Sequence, residues 1–164
     1  MIIRNWFHIV SFISILAIST ALIAEFVFDI KPCSMCLKQR YPYYFIILIY
    51  ILFQFLPKLS QVLFFLIIQF SAIYGLFYSI WHVGIEQKIF ESPPSCAGDL
   101  SISDSTKEIK EQIMSTNVIN CEDVVWAIFG MSAATINTII LILIFLLNAI
   151  YMWKFYETKK TGKR

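Results

Sequence analysis

Four stretches of the chain contain no charged residue, and apolar side chains dominate each of them. The shortest runs from Tyr41 to Pro57 and the longest from Val124 to Trp153. A helix needs about 20 apolar residues to cross a hydrocarbon core of about 30 Å. The pattern predicts four membrane-spanning helices, near residues 6–26, 41–56, 61–82 and 124–151. Because these stretches are continuously apolar and do not alternate, they favour helices over a transmembrane barrel.

The composition agrees with a membrane protein. Of 164 residues, 59% are hydrophobic and 15% are charged, whereas soluble domains carry about 25% charged residues. This hydrophobicity also excludes a disordered chain, and a net charge of +2 gives no indication of nucleic-acid binding. We therefore expect an all-α membrane protein, a four-transmembrane-helix bundle that forms a single domain over residues 1–164.

The cations predict the orientation of the helices. Five of them cluster after the last apolar stretch: Lys154, Lys159, Lys160, Lys163 and Arg164. Since Lys and Arg favour the cytoplasmic side of a membrane, both termini are predicted to be cytoplasmic. Two outer loops follow, at about 27–40 and 83–123. Residues 103–114 could form a short amphipathic helix, either flat on the membrane or within a solvated loop. The first stretch also resembles a signal peptide with a cleavage site at Ser19-Thr20-Ala21, but it is longer than most signal peptides.

All four cysteines, Cys33, Cys36, Cys96 and Cys121, fall in the predicted outer loops. An oxidising compartment allows disulfides there, and the simplest of three pairings joins Cys33 to Cys36 and Cys96 to Cys121. They could be structural disulfides, a thiolate metal site or a redox centre. We expect no metal, because the second pair is widely spaced and no nearby histidine completes a ligand set. The Cys33–Cys36 disulfide would close only a small loop and so stabilise little, which favours a redox role.

The residues that follow Cys33 support this role. If the segment is helical, Cys36 and Arg40 lie at i and i+4 on one face. A helix N-terminus and a guanidinium both favour a thiolate, so we expect the charge on Cys36. Pro42 disfavours helix at Tyr41, which leaves the continuity of this helix open.

Five elements occur in a recognisable order along the chain. They are Glu25; Pro32-Cys33-Ser34-Met35-Cys36 with Gln39-Arg40; His82-Val83-Gly84-Ile85-Glu86; Pro93-Pro94-Ser95-Cys96; and Cys121-Glu122-Asp123 with Trp126. In this order they resemble the DsbB family of bacterial disulfide-bond oxidases. Met35 and Ile85 stand where that family usually has Leu and Val, and both replacements are apolar and similar in size.

The resemblance implies an electron relay in the bacterial inner membrane, with its active site on the periplasmic face. A periplasmic DsbA-like thiol oxidase would attack Cys96, and the released Cys121 would attack Cys33. Cys36 would then reduce a membrane quinone, either ubiquinone or menaquinone, bound beside Arg40 and His82.

Two residues have a second interpretation. His82 would donate a hydrogen bond or a proton to the quinone, or it would be an interfacial histidine paired with Trp81. Glu25 would relay protons or orient Arg40, or it would be a carboxylate that reaches water at a helix end.

Two other functions stay open from the sequence. The chain could be a four-helix membrane scaffold whose outer-loop disulfides are static. It could also be similar to vitamin-K-epoxide-reductase-like oxidases, although in those the quinone-side cysteine pair comes after the distant pair, the reverse of the order here.

Overall fold

A computed structural model describes residues 2–56, 60–93, 96, 121–124, 126–128 and 130–162. Within these residues the chain forms α1 (Ile2–Phe26), α2 (Ser34–Phe55), α3 (Gln61–Glu86), β1 (Ala127–Ile128), β2 (Met131–Ser132) and α4 (Ala133–Lys160). The predicted set of four helices is confirmed. The short antiparallel hairpin, in which Ala127 faces Ser132, is an addition that the sequence pattern does not predict. The helix expected over 103–114 lies outside the described residues.

In the part of the chain that the structure describes, three helices are long and apolar enough to cross a membrane. They are α1 from Asn5, α3 and α4. The outward faces of these helices carry large apolar side chains such as Phe12 and Phe70, which are 62% and 69% exposed and suit contact with lipid. The first turns of α2 hold Lys38, Gln39 and Arg40, and this lowers its hydropathy. A fourth span through α2, and the cytoplasmic location of both termini, stay predictions.

Helix α2 begins at Ser34 and not near residue 41, so residues 34–40 of the predicted outer loop are helical. The reason is a cap at Cys33, whose sulfur accepts a hydrogen bond from the Cys36 backbone N–H at 3.2 Å. Such a cap pairs one of the N–H groups that a helix start leaves without a partner. The helix then continues through Pro42, which places Cys36 and Arg40 on one continuous helix.

Two other helix boundaries also differ from the sequence prediction. Helix α3 extends beyond residue 82 to Glu86, and α4 begins at Ala133 and not near 124. The hairpin occupies the residues before α4, and the hydroxyl of Ser132 caps that helix by accepting from the Thr135 N–H at 3.1 Å. The same hydroxyl donates to the Glu86 carboxylate, which ties the start of α4 to the end of α3.

Helix α3 packs against both α2 and α4. A glycine makes this possible, because a Cβ at Gly75 would lie 2.9 Å from Leu141 Cδ1 and 3.0 Å from Pro42 Cγ. The main core consists of apolar side chains from all four helices: Trp6, Phe7, Val10, Ile18, Tyr43, Ile46, Phe64, Phe65, Ile68, Ala72, Leu141 and Ile144. The close approach at Gly75 therefore brings three helices together in the half of the bundle nearer the cysteines.

A buried asparagine joins three helices in the other half. Asn148 is fully buried, and its Nδ2 donates to the Phe65 carbonyl at 3.0 Å and to Gln69 Oε1 at 2.8 Å. Its Oδ1 accepts from Trp6 Nε1 at 3.2 Å. Polar bonds of this kind hold helices together where lipid provides no hydrophobic driving force for association.

Candidate functional site

The four cysteines meet at the end of the bundle where α2 begins and α3 ends. Cys96 and Cys121 form a disulfide, and Cys33 and Cys36 are free thiols whose sulfurs lie 2.8 Å apart. Cys33, Cys96 and Cys121 are each at most 3% exposed. They form a small core of their own with Met35 and Ile85. The two sulfur pairs are therefore neighbours, although the whole chain segment that joins Cys96 to Cys121, residues 97–120, lies outside the described residues.

Ser34 lies between the two cysteine pairs. Its hydroxyl is 3.5 Å from Cys96 Sγ and 3.9 Å from Cys121 Sγ, while the residue itself directly follows Cys33. As the first residue of α2, Ser34 has a fixed backbone, so this contact holds the disulfide against the helix N-terminus.

The negative charge of the free pair belongs on Cys33. Sharing one proton with Cys36 lowers the pKa of Cys33 to about 4, against the opposing effect of burial and with help from a hydrogen bond to His82. The same shared proton raises the pKa of Cys36. The sequence prediction counted Arg40, which lowers the pKa of Cys36, but not the proton that Cys36 shares with Cys33, which raises it.

His82 faces the thiols. It is 4% exposed, and its Nε2 lies 3.6 Å from Cys33 Sγ. Its Nδ1 accepts from Gln39 Nε2 at 2.9 Å, which leaves the ring proton on Nε2, directed at the Cys33 sulfur. Trp81 instead packs beside Tyr78, so the alternative of a histidine paired with Trp81 at the membrane surface is not what the structure shows.

A chain of buried polar groups continues from His82 into α4. Gln39 Oε1 accepts from Asn137 Nδ2 at 3.1 Å, and Asn137 Oδ1 accepts from the Tyr43 hydroxyl. Asn137 Nδ2 also donates to Ser79 Oγ at 3.1 Å. These bonds set the present orientation of the Gln39 amide, and through it the present tautomer of His82.

Arg40 forms an ion pair with Glu25 across the α1–α2 contact. Its Nη1 donates to the Glu25 carboxylate and its Nη2 to the Ala21 carbonyl at 3.4 Å. Of the two functions considered for Glu25, the structure favours orienting Arg40. The paired guanidinium is held at the wall of a cavity instead of turning to water.

This cavity has a volume of about 410 Å³ and lies between α1, α2 and α4, with His82 and Glu86 at the end of α3 completing its wall. Cys36, Arg40 and His82 line one part of it, and apolar side chains of α1 and α4, such as Leu16 and Ile140, line the rest. Ligand sites for small molecules have volumes of about 300–1,000 Å³, with apolar walls and a few polar groups. The cavity therefore suits a mostly apolar molecule with a polar end near Arg40.

The metal-ligand chemistry of the site differs from the sequence expectation. Cys96 and Cys121 are bonded to each other, so a site of four thiolates is not formed. His82, however, lies close to Cys33 and Cys36, and one ligand atom from each of these three residues falls within 4.8 Å of the other two. The statement that no nearby histidine completes a ligand set is therefore wrong, since 49 residues of chain separate His82 from Cys33.

Comparisons with known proteins now add to the geometry. Residues 3–151 match the family model described as "Disulfide bond formation protein DsbB". The chain belongs to the DsbB family. It is also 30% identical over 138 residues to "Uncharacterized protein RP370" of Rickettsia prowazekii (strain Madrid E), covering 82% of this chain and 80% of that protein. No solved structure matches the chain.

Family membership makes this chain a DsbB-like membrane disulfide oxidoreductase, and the predicted resemblance is confirmed. Two residues near the cysteines of this DsbB-family protein, Asn137 and Ser34, do not emerge from sequence reasoning. A polar residue within a predicted span is unusual enough to mark Asn137 as a candidate. Ser34 gives no such signal, because its position matters only after the Cys96–Cys121 disulfide packs on α2.

Proposed function

We propose that the chain reoxidises a periplasmic, thioredoxin-like dithiol protein of the DsbA type and passes the electrons to a membrane quinone. The proximity of the two cysteine pairs, beside a cavity that reaches Cys36, carries this proposal. A static scaffold has no need to keep a free dithiol next to a disulfide, or to place an arginine and a histidine beside the dithiol.

The first exchange takes place between the partner and the Cys96–Cys121 disulfide. A partner thiolate attacks Cys96, a mixed disulfide forms, and Cys121 leaves as a thiolate. The second partner thiol then attacks this mixed disulfide and releases Cys96. The partner becomes a disulfide and the loop pair becomes a dithiol, so two electrons and two protons have moved.

The second exchange passes the electrons to the first pair. The Cys121 thiolate attacks Cys33 of a Cys33–Cys36 disulfide, and Cys36 leaves. Cys96 then displaces Cys33, which restores the Cys96–Cys121 disulfide and leaves a Cys33–Cys36 dithiol. The pattern of one disulfide and one dithiol described above corresponds to the stage that follows this exchange.

The residues around the cavity fit a quinone, which accepts two electrons and two protons from the dithiol. Arg40 would hold a quinone oxygen and favour negative charge on it, with Glu25 fixing the guanidinium. Gln39 and Asn137 orient the His82 ring. The ring then directs one defined nitrogen, Nε2, at the Cys33 sulfur. The apolar walls between α1 and α4 would hold a lipid-soluble ring and tail.

The proposal also includes a location. We propose the bacterial inner membrane, with both termini in the cytoplasm and the cysteine cluster on the periplasmic face. The clustering of cations after Lys154 supports this orientation. So does the convergence of all four cysteines at one end of the bundle, because disulfides persist only on the oxidising side.

One experiment tests the proposed function. The purified full-length chain in detergent is mixed with a reduced thioredoxin-like protein and with ubiquinone or menaquinone, and partner thiols and quinone absorbance are followed together. We expect one quinone to be consumed for each partner disulfide formed, and a Cys33→Ser variant to consume none. A Cys96–Cys121 disulfide that stays inert to the reduced partner would contradict the proposal and support the scaffold.

A further inference from the structure

The reduced site collects three metal-binding atoms from two helices. Cys33 and Cys36 lie at the start of α2, and His82 lies near the end of α3. We propose that the dithiol form binds one thiophilic divalent cation, such as Zn²⁺, through Cys33 Sγ, Cys36 Sγ and His82 Nε2. This inference does not depend on the partner or on the quinone.

The distances suit a tetrahedral ion. Zn–S and Zn–N bonds of about 2.3 and about 2.0 Å separate two sulfurs by about 3.8 Å, and a sulfur from a nitrogen by about 3.5 Å. Cys33 Sγ and His82 Nε2 are already 3.6 Å apart. The two sulfurs, at 2.8 Å, must separate by about 1 Å. A small rotation of the Cys36 side chain provides this without moving either helix.

The electrostatic balance also favours the cation. Two thiolates carry two negative charges, which a divalent cation neutralises as the thiol protons leave. Arg40, the nearest cationic side chain on α2, is engaged by Glu25. Cys36 and His82 both line the cavity, which gives the ion a route inward and a water molecule for its fourth coordination position.

The polar chain behind His82 can hold the ring in its metal-binding state. A metal at Nε2 requires the ring proton at Nδ1, and that proton needs an acceptor. Turning the Gln39 amide by half a turn exchanges its oxygen and nitrogen and offers Oε1 to Nδ1. Asn137 can turn in the same way, and the Tyr43 hydroxyl then accepts from it. Gln39 loses its 3.5 Å bond to the Tyr78 carbonyl, and Ser79, which now accepts from Asn137, would have to donate to it instead.

Metal binding and disulfide formation would exclude each other. When Cys33 and Cys36 form their disulfide, two electrons pass to an oxidant, both thiolates disappear and the divalent ion leaves unchanged in charge. Conversely, an ion bound to both sulfurs keeps them from attacking or being attacked. The site would thus link the redox activity of the protein to the supply of thiophilic metal.

Cd²⁺ is the probe that tests this site, because cadmium–thiolate bonds absorb in the ultraviolet. The full-length chain carrying Cys96→Ala and Cys121→Ala is reduced, freed of reductant under nitrogen and titrated with Cd²⁺, and Zn²⁺ is then measured by competition. We expect one ion per chain, and none after oxidation of Cys33 and Cys36. Binding to the oxidised chain, or more weakly than to a free dithiol peptide, would overturn the proposal.

Two histidine variants distinguish a three-ligand site from simple chelation by two thiolates. His82→Ala should weaken binding by at least about tenfold. His8, near the start of α1, contacts Tyr50 near the end of α2, so His8→Ala should leave affinity unchanged. Gln39→Leu keeps His82 and removes its support, so it should cost about 10–100-fold. Equal affinity in His82→Ala and His8→Ala, both with unchanged helix content, would refute the role of His82.

Discussion

At the scale of single residues, Cys33 shows what local spacing can and cannot predict. The spacing of Cys36 and Arg40 predicts that they share a helix face, and α2 does carry both. The lowered pKa of Cys33 depends on Cys36 and on His82. His82 reaches the sulfur only because α3 packs beside α2, and a contact across 49 residues has no signature in the local pattern.

Arg40 is expected to act on the electron acceptor and not on the partner. Arg40→Ala removes a charged hydrogen-bond donor from the cavity wall, a loss of about 1.5–3 kcal/mol. We therefore expect the KM for quinone to rise at least about tenfold, with little change in the KM for the partner. Lys38→Ala is the control, because Lys38 lies over the Tyr78 ring, and steady-state kinetics with each substrate varied measures both.

The two loop cysteines are expected to have different roles in the first exchange. Mixed with the oxidised partner, the Cys121→Ser chain should accumulate a mixed disulfide, because its Cys96 thiolate attacks the partner disulfide and one partner thiolate leaves, while no second loop thiol is present to displace the partner from Cys96. Cys96→Ala should form no such adduct. A non-reducing gel shows the adduct directly, and its appearance with Cys96→Ala but not with Cys121→Ser would reverse the assignment.

At the scale of helices, the sequence predicts which segments are helical better than it predicts where they begin. Runs of apolar residues define α1, α3 and most of α4. The starts of α2 and α4 depend on caps at Cys33 and Ser132, and Ser132 also binds Glu86 on another helix. A cap that uses a thiol, or one that depends on a contact with another helix, carries a weak sequence signal. The helix starts predicted from charge-free apolar runs therefore differ from those in the structure.

Gly75 is expected to limit how closely three helices pack. A leucine there would press on Leu141 and Pro42, because even a Cβ would lie about 3 Å from both. Overpacking of this kind costs about 1–3 kcal/mol. Gly75→Leu should therefore lower the unfolding temperature in detergent, whereas Ile73→Leu, on the exposed face of the same helix, should not.

Asn148 is expected to couple α1 to α4 through Trp6. A double-mutant cycle with Asn148→Leu and Trp6→Phe isolates their hydrogen bond from the packing of each side chain. Bonds between membrane helices average about 0.6 kcal/mol and reach about 1.7 kcal/mol, so we expect a coupling in this range. Equilibrium unfolding in mixed micelles measures it, and additive effects of the two substitutions would mean that the bond contributes nothing.

At the scale of the whole molecule, the bundle has two chemically different ends. The sulfurs, His82 and the Arg40–Glu25 pair gather at one end, and the Asn148 contacts tie the helices toward the other. The sequence predicts this polarity from the placement of the cysteines alone. It does not predict the cavity, because a cavity is the space left between α1, α2 and α4 after their packing is decided.

The predicted topology follows from this polarity and can be tested by labelling. In a chain with all four cysteines replaced by alanine, Phe28→Cys and Thr158→Cys provide one thiol near each membrane surface. We expect a membrane-impermeant maleimide to label position 28 in intact spheroplasts, and position 158 only after permeabilisation. Labelling of position 158 from outside would place the C-terminus in the periplasm.

The cap at Cys33 gives the redox cycle a mechanical consequence. The Cys33 sulfur, which is oxidised and reduced during the cycle, also accepts the hydrogen bond from the Cys36 N–H that caps the start of α2. A thiolate is a good acceptor for an amide proton and a disulfide sulfur is a poor one, so each oxidation loosens the first turn of that helix and each reduction tightens it. Amide hydrogen exchange at residue 36 should therefore report the redox state of the enzyme without any dye or substrate.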